Sequence, residues 1–363
     1  MSGIQQAMQT LLEQKVEDGS ERGAQLAVYY RGELIVDAYA GVVDQDTSKP
    51  VDGDTLFPVF STTKGVAATI IHLLAERGQL DYDMEIREIW PEFGVNGKEK
   101  ATIGHALYHT TGIPHMPEGI GVADVCDWGK MCEEVARLAP QWQPGEHMEY
   151  HAITYGWIVG EVARRVDGRS FSQILRDEIC GPLAISDIYV GIPEEVEARV
   201  AVLEEPDFES SGIVAGGLQA IPAWICPLHQ WMNTPAARRA CVPASNGIMT
   251  AKAVARHYAA LLPGGVDGVQ LLPDSRIKLA TTPLILKDGV PLAKGMGYGL
   301  GCPGSMMGER ASVFGHGGYG GSIAFGDPEH GLAVGFAKNL FSKNGAGPLI
   351  IQELYRRLGI SFT

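Results

Sequence analysis

Two distant stretches of the chain carry the same pattern, and together they limit the folds open to it. Residues 24–41, "AQLAVYYRGELIVDAYAG", read as two strands joined at Arg31-Gly32. Residues 320–339, "GGSIAFGDPEHGLAVGFAKN", read as two β-rich runs flanking the turn Asp327-Pro328-Glu329-His330-Gly331. A helical pattern lies outside each hairpin. "MSGIQQAMQTLLEQKVEDG" puts Ile4, Met8, Leu11 and Leu12 on one face. "GPLIIQELYRRLG" (347–359) starts with Pro348 in its first turn and aligns Ile351, Leu354, Tyr355 and Leu358. Between the hairpins the patterns are mostly helical, as in "ATIGHALYHTTG", "DWGKMCEEVARLA", "AITYGWIVGEVARRVDG", "SFSQILRDEIC" and "TAKAVARHYAALL". Strands at both ends with helices between predict one antiparallel sheet built from both termini, flanked by the terminal helices, plus an inserted helical lobe. The expected fold class is therefore α/β (α+β) in a single domain over 1–363. The sheet lobe is expected at about 1–84 and 245–363, and the helical lobe at 85–244.

The charge balance removes several functions. The net charge is −14, with no basic cluster, which argues against nucleic-acid partners and anionic membrane surfaces. No apolar run is long enough to span a bilayer, and the first residues lack the basic start and unbroken apolar core of an export signal. A cytoplasmic location is the expectation, with a homo-oligomer left open. Six cysteines form no C-x-x-C pair and read as reduced, mostly buried thiols. No cofactor or metal is expected. "GYGLG" (297–301) is not followed by a helix, so it is not a phosphate cradle. His105 and His109 stand at metal-binding spacing but have no evident third ligand. No G-x-S-x-G elbow is present.

Residues 60–78, "FSTTKGVAATIIHLLAERG", carry the first chemical signal. Val66, Ile70 and Leu74, with Ala67 and Ile71, make a wide apolar helix face that ends at Gly78. Pro58 sets the helix start near Phe60–Thr62. Ser61 then sits at the head of the helix, and Lys64 one turn later on the same side. The helix dipole disfavours a cation there, and burial among apolar neighbours adds to the effect, so both favour a neutral amine that can take a hydroxyl proton. A structural reading competes: Ser61 as an ordinary N-cap and Lys64 snorkelling to water.

Two more stretches bear on the choice. "GEHMEYHAITYGWIVGEVARRVDG" places Tyr150 ahead of a helical pattern, and "FGHGGYGGS" (314–322) places His316-Gly317-Gly318 at the start of a predicted strand. Such a glycine cluster is either a tight turn with bulges or a point of close approach to another backbone or a ligand. With Ser61-Thr62-Thr63-Lys64, Tyr150-His151-Ala152 and His316-Gly317-Gly318 in this order, the chain resembles the serine β-lactamase and penicillin-binding-protein superfamily. Within it, the resemblance is to the class C β-lactamase-like serine hydrolases, which include the family VIII carboxylesterases. "DTLFPVFSTTKG", "ATIGHALYHTTGIP", "PASNGIMTAKAVARHYAALL" and "GYGLG" also fall in family order, so the likeness covers roughly residues 20–350.

The resemblance implies the family's sheet-plus-helical-lobe fold and a set of roles. Ser61 is the implied nucleophile, Lys64 accepts or relays its proton, and Tyr150 shares that proton and returns it to the leaving group. The backbone N–H groups of Ser61 and Tyr319 form the implied oxyanion hole. His316, Gly317, Gly318 and Ala152 line the substrate. Two departures shift the expected substrate. Ala152 replaces an asparagine and His316 replaces a lysine, and both losses disfavour β-lactams relative to neutral esters. The expected function is a serine carboxylesterase acting on a small-molecule ester or acyl substrate through an acyl-enzyme. The alternatives are an acyltransferase, a weak β-lactamase or amide (D-peptide) hydrolase and, from another class, an inactive binding module. His147, Glu149 and His151 read as loop polar groups around Tyr150, with His151 able to tune the site. The Gly/Pro-rich stretch 205–236 reads as a packed loop in preference to a lid.

Overall fold

The computed structural model describes residues 3–206, 220–285, 291–292, 295–299, 312–342 and 345–362. The main sheet contains β1 (Gly23–Tyr30), β2 (Glu33–Gly41), β8 (Phe314–Gly317), β9 (Ile323–Asp327) and β10 (Leu332–Lys338). Its order is β2-β1-β10-β9-β8, antiparallel throughout. The predicted sheet built from both termini is therefore present, with the C-terminal β10 at its centre. Arg31 and Gly32 both have positive φ (52° and 81°), the backbone that a two-residue hairpin turn needs to match the strand twist.

Alternation along the central strands sorts residues into two cores. Leu26 and Val28 of β1 and Leu332, Val334 and Phe336 of β10 face one layer. That layer is completed by α1 (Ile4–Glu17), through Ile4, Met8 and Leu12, and by the last helix, α6 (Gly347–Arg357), through Ile350, Ile351 and Leu354. Ala27, Ala333 and Ala337 face the other layer. These inner residues are small because α5 (Ala251–Ala259) lies close against the sheet: a Cβ on Gly335 would stand 2.3 Å from the Ala251 carbonyl oxygen. The chain ends are also tied by charge. Lys338 Nζ lies 2.6 Å from Glu21 Oε2, with both side chains buried. Burial pushes the Glu21 carboxyl above its ordinary range, against the pull of Lys338 and the amide of Ala346.

A smaller sheet, β3 (Phe57–Pro58), β5 (Gly247–Met249) and β4 (Ile188–Val190), stands next to α2 (Thr63–Glu76). α3 (Trp128–Arg137) and α4 (Thr154–Asp167) pack with α2 in the larger core. A short hairpin, β6 (Leu284–Ile285) with β7 (Pro291–Leu292), lies beyond α5. Among the described residues no helix is long and apolar enough to cross a membrane. The five described cysteines are free thiols, and Cys302 lies outside the described residues.

Two local expectations change. The helical pattern at 101–112 yields only Ile103–Leu107, because His109 (φ 60°) and Gly112 (φ 86°) turn the chain in left-handed backbone. The His316-Gly317-Gly318 triplet does not start a strand. It ends the separate strand β8 and enters the turn that leads to β9.

Candidate active site

Ser61 lies in a single 3₁₀ turn, Phe60–Thr62, that runs into α2. Phe60 has φ 46°, an uncommon value for an aromatic residue, and this bend presents the next side chain. The turn is pinned from three sides. Val59 N–H donates to Gly247 O at 2.9 Å, Gly247 N–H to Thr63 Oγ1 at 2.8 Å, and Thr62 Oγ1–H to Ser322 O at 3.1 Å. The strand side comes closest at Gly318, where a Cβ would meet Val59 O at 2.0 Å. The glycine cluster is thus both a tight turn and a close backbone approach, so the two sequence readings are compatible.

Neither part of the competing structural reading of Ser61 and Lys64 holds. The helix N-cap is Thr62, without a side-chain cap bond, and Lys64 is fully buried. Lys64 Nζ lies 3.3 Å from Ser61 Oγ and donates to the carbonyls of Ala152 at 2.7 Å and Ala244 at 2.9 Å. It also stands 4.8 Å from the ring centroid of Tyr150 and 5.6 Å from that of Tyr155. Burial raises the pKa of the Tyr150 phenol above its ordinary value, while a hydrogen bond with Ser61 works the other way. His316 is buried, its ring centroid 6.0 Å from that of Tyr150, and its Nδ1–H donates to Gly317 O at 2.7 Å. Ser61, Lys64, Tyr150 and His316 are therefore brought together, with Gly317 and Gly318 beside them.

Sequence reasoning missed the two carbonyls. Ala152 enters the site through its backbone oxygen and not only through its missing carboxamide. Ala244 has no side-chain signature. It is held because Asn246 Oδ1 accepts from Val242 N–H at 2.9 Å, and because Gly156 of α4 leaves room, its Cβ position being 2.6 Å from Ala244 N.

The neighbouring histidines support the loop. His151 Nδ1–H donates to Glu149 O at 2.6 Å, while its Nε2 pairs with Thr111 Oγ1 at 2.8 Å and accepts from Ile113 N–H at 3.2 Å. The His109 ring packs at a 53° tilt to that of Tyr150, centroids 4.8 Å apart, and its Nδ1 accepts from His151 N–H at 3.2 Å. His105 Nδ1 accepts from Thr102 N–H at 3.1 Å in a capping box. One group of potential metal ligands, Asp327, Glu329 and His330, occurs among the described residues. It lies at the far end of β9 from the Tyr319 turn, where Tyr355 Oη–H donates to Asp327 Oδ2 at 2.9 Å.

Burial holds His72 and His151 down at about 4 and His257 at about 3. All three stay neutral in the fold, whereas the unfolded chain takes up protons below pH ~6.5. Their contribution to stability is thus complete above that pH and lost as pH falls through the folded values. Acidification from pH ~7 to ~5 is expected to cost about 1–2 kcal/mol per histidine. Urea midpoints at the two pH values measure this, and equal midpoints would show that the rings are not held neutral.

The antiparallel sheet covered on both faces, with its helical lobe, and the serine at the head of a buried helix facing a lysine define a serine hydrolase of the β-lactamase and penicillin-binding-protein fold. The chain belongs to the Beta-lactamase family, whose model matches residues 8–353. Esterase/beta-lactamase LipL of Mycobacterium tuberculosis is 33% identical over 332 residues, covering 87% of this chain and 77% of LipL. The crystal structure of a family VIII carboxylesterase superposes with a TM-score of 0.85 at 31% identity, covering 97% of each chain. A penicillin-binding protein homolog from Caulobacter crescentus gives 0.82 at 33% identity, again over 97% of each chain.

Proposed function

We propose that the protein is a serine carboxylesterase that works through an acyl-Ser61 intermediate. The observation that carries this reading is the 3.3 Å approach of Lys64 Nζ to Ser61 Oγ, with two carbonyls engaging the amine. A neutral amine that spends both N–H bonds on Ala152 O and Ala244 O has only its lone pair left for Ser61 Oγ. Lys64 then takes the hydroxyl proton as Oγ attacks the ester carbonyl carbon. The backbone N–H groups of Ser61 and Tyr319 hold the oxyanion. Tyr150, kept protonated by burial, passes a proton to the departing alkoxide as the C–O bond breaks, and recovers one from Lys64. Water then attacks the acyl-enzyme along the same path and releases the acid. The reading is supported by the names of the relatives, an esterase/β-lactamase and a family VIII carboxylesterase. We place this chemistry in the cytoplasm, with a small ester as substrate.

Substrate choice follows from Ala152 and His316. The Ala152 side chain is a methyl group, and His316 directs Nδ1–H to Gly317 O, so neither presents the amide or fixed ammonium that would receive a β-lactam. Each lost hydrogen bond to a charged group is worth about 1.5–3 kcal/mol, or roughly one to two powers of ten. The expected kcat/KM for p-nitrophenyl acetate exceeds that for nitrocefin by about 10² or more. A panel of p-nitrophenyl acetate to laurate, nitrocefin and D-alanyl peptides tests this, and comparable efficiencies for acetate and nitrocefin would refute it. Product formation that depends on an added alcohol would point instead to acyl transfer.

A further inference from the structure

In Gly317-Gly318-Tyr319-Gly320-Gly321 one side chain stands among four glycines. Gly321 N–H donates to Gly318 O at 3.1 Å and Gly318 N–H to Ser322 O at 2.7 Å, closing a tight turn with Tyr319 at its second position and Gly320 (φ 87°) at its third. Glycines restrain a backbone little, so beside these bonds and the bond from Thr62 to Ser322 O the Tyr319 side chain is the further anchor of this turn.

Two sets of contacts hold it. The ring packs edge-on against Phe60 (centroids 5.6 Å apart, 79°) and Phe341 (5.5 Å, 88°). Phe60 is the left-handed residue that presents Ser61, so this aromatic trio touches both sides of the site. The phenol Oη–H donates to Glu205 Oε1, and Glu205 Oε2 lies 3.0 Å from His229 Nδ1. The Glu205 and His229 side chains are only 7% and 13% exposed. The carboxylate is itself placed by the main sheet, since Glu204 N–H donates to Asn339 O at 2.9 Å and Phe341 N–H to Glu204 O at 2.7 Å, just past β10.

We propose that Glu205, backed by His229, is a positioning residue: by holding the phenol of Tyr319 it fixes the Tyr319 backbone amide relative to Ser61. This rests on the reading of that amide as an oxyanion donor. Burial and the Glu205 carboxylate both push the Tyr319 phenol up, so it remains a donor at neutral pH. The resemblance assigns no role to Glu205 or His229, and they lie on either side of residues outside the described set.

Removing an oxyanion donor outright costs about 10²–10³ in rate, and a donor left in place but loosened costs part of that. Tyr319→Phe and Glu205→Ala are expected to lower kcat for p-nitrophenyl acetate about 5–30-fold with KM within about twofold. Glu205→Gln keeps an oxygen that accepts from the phenol, and is expected to restore kcat to within about threefold of the unaltered protein. The Tyr319→Phe/Glu205→Ala double variant is expected to be no worse than the poorer single one, since both remove the same bond. Wild-type kcat in Tyr319→Phe, or a loss that follows only the folded fraction seen by circular dichroism, overturns the proposal. If Ser61→Ala is inactive at that point, the Ser61 reading stands and only the positioning role falls. If Ser61→Ala is active too, both fall.

Discussion

Ser61→Ala is expected to lower kcat for p-nitrophenyl acetate by about 10⁴–10⁶, with the unfolding midpoint unchanged. The size of the loss follows from what remains. Without Oγ no acyl-enzyme forms, and only the backbone donors and substrate binding are left to favour attack by water. The stability expectation follows from the turn itself. Its fixed points are the backbone of Val59, the hydroxyls of Thr62 and Thr63 and the packing of Phe60, and none of them uses the Ser61 hydroxyl. A methyl group therefore fits in its place. Intact-mass measurement after a fluorophosphonate probe gives an independent reading: the wild-type protein gains one adduct on Ser61 and the variant gains none. An adduct on another serine, or turnover above about one part in a hundred, would remove Ser61 from the centre of the reaction.

Lys64→Arg is expected to cost about 10²–10⁴ in kcat, as much as Lys64→Met to within about tenfold. Arginine keeps the positive charge but has no lone pair to offer at neutral pH. It is also larger, and the site is closed by Ala152 O, Ala244 O and the rings of Tyr150 and Tyr155. Lys64→Met isolates the amine from the stem, but leaves those two carbonyls without their donor, at about 1–3 kcal/mol each. The two variants therefore fail differently: methionine loses more stability, arginine packs worse, and both lose proton transfer. If Lys64→Arg kept more than about a tenth of wild-type kcat, Lys64 would act only as a charge and the base would have to be sought elsewhere.

What could be read in advance divides along a physical line. The terminal hairpins were legible because alternation and turn residues are local, and the strands of both are five residues or longer. The strands β3, β4 and β5 were not, since two or three residues cannot display a period. In the site, Ser61 and Lys64 stood out by the chemistry of their side chains and their spacing, and Tyr150 and His316 by their place in the order of the family's motifs. The carbonyls of Ala152 and Ala244 did not, because every residue carries one and only the fold decides which is used. The bend at Phe60 ran against its residue type, which is why it could be found only in the structure. Glu205 and Tyr319 are 114 residues apart, and nothing local to either announces the pairing.

The place of β10 at the middle of the main sheet has a consequence for how the chain comes off the ribosome. The first hairpin is made early, yet β1 finds its second neighbour only when Leu332–Lys338 is complete, about three hundred residues later. Until then one long side of Gly23–Tyr30 shows unpaired backbone groups along an apolar strand, the kind of edge that recruits other chains. Ser61 waits as well, because the turn that closes over it lies between β8 and β9. A nascent chain stopped before Phe314 is therefore both inert and adhesive, and the stretch from β8 to β10 supplies the missing turn and covers the open edge.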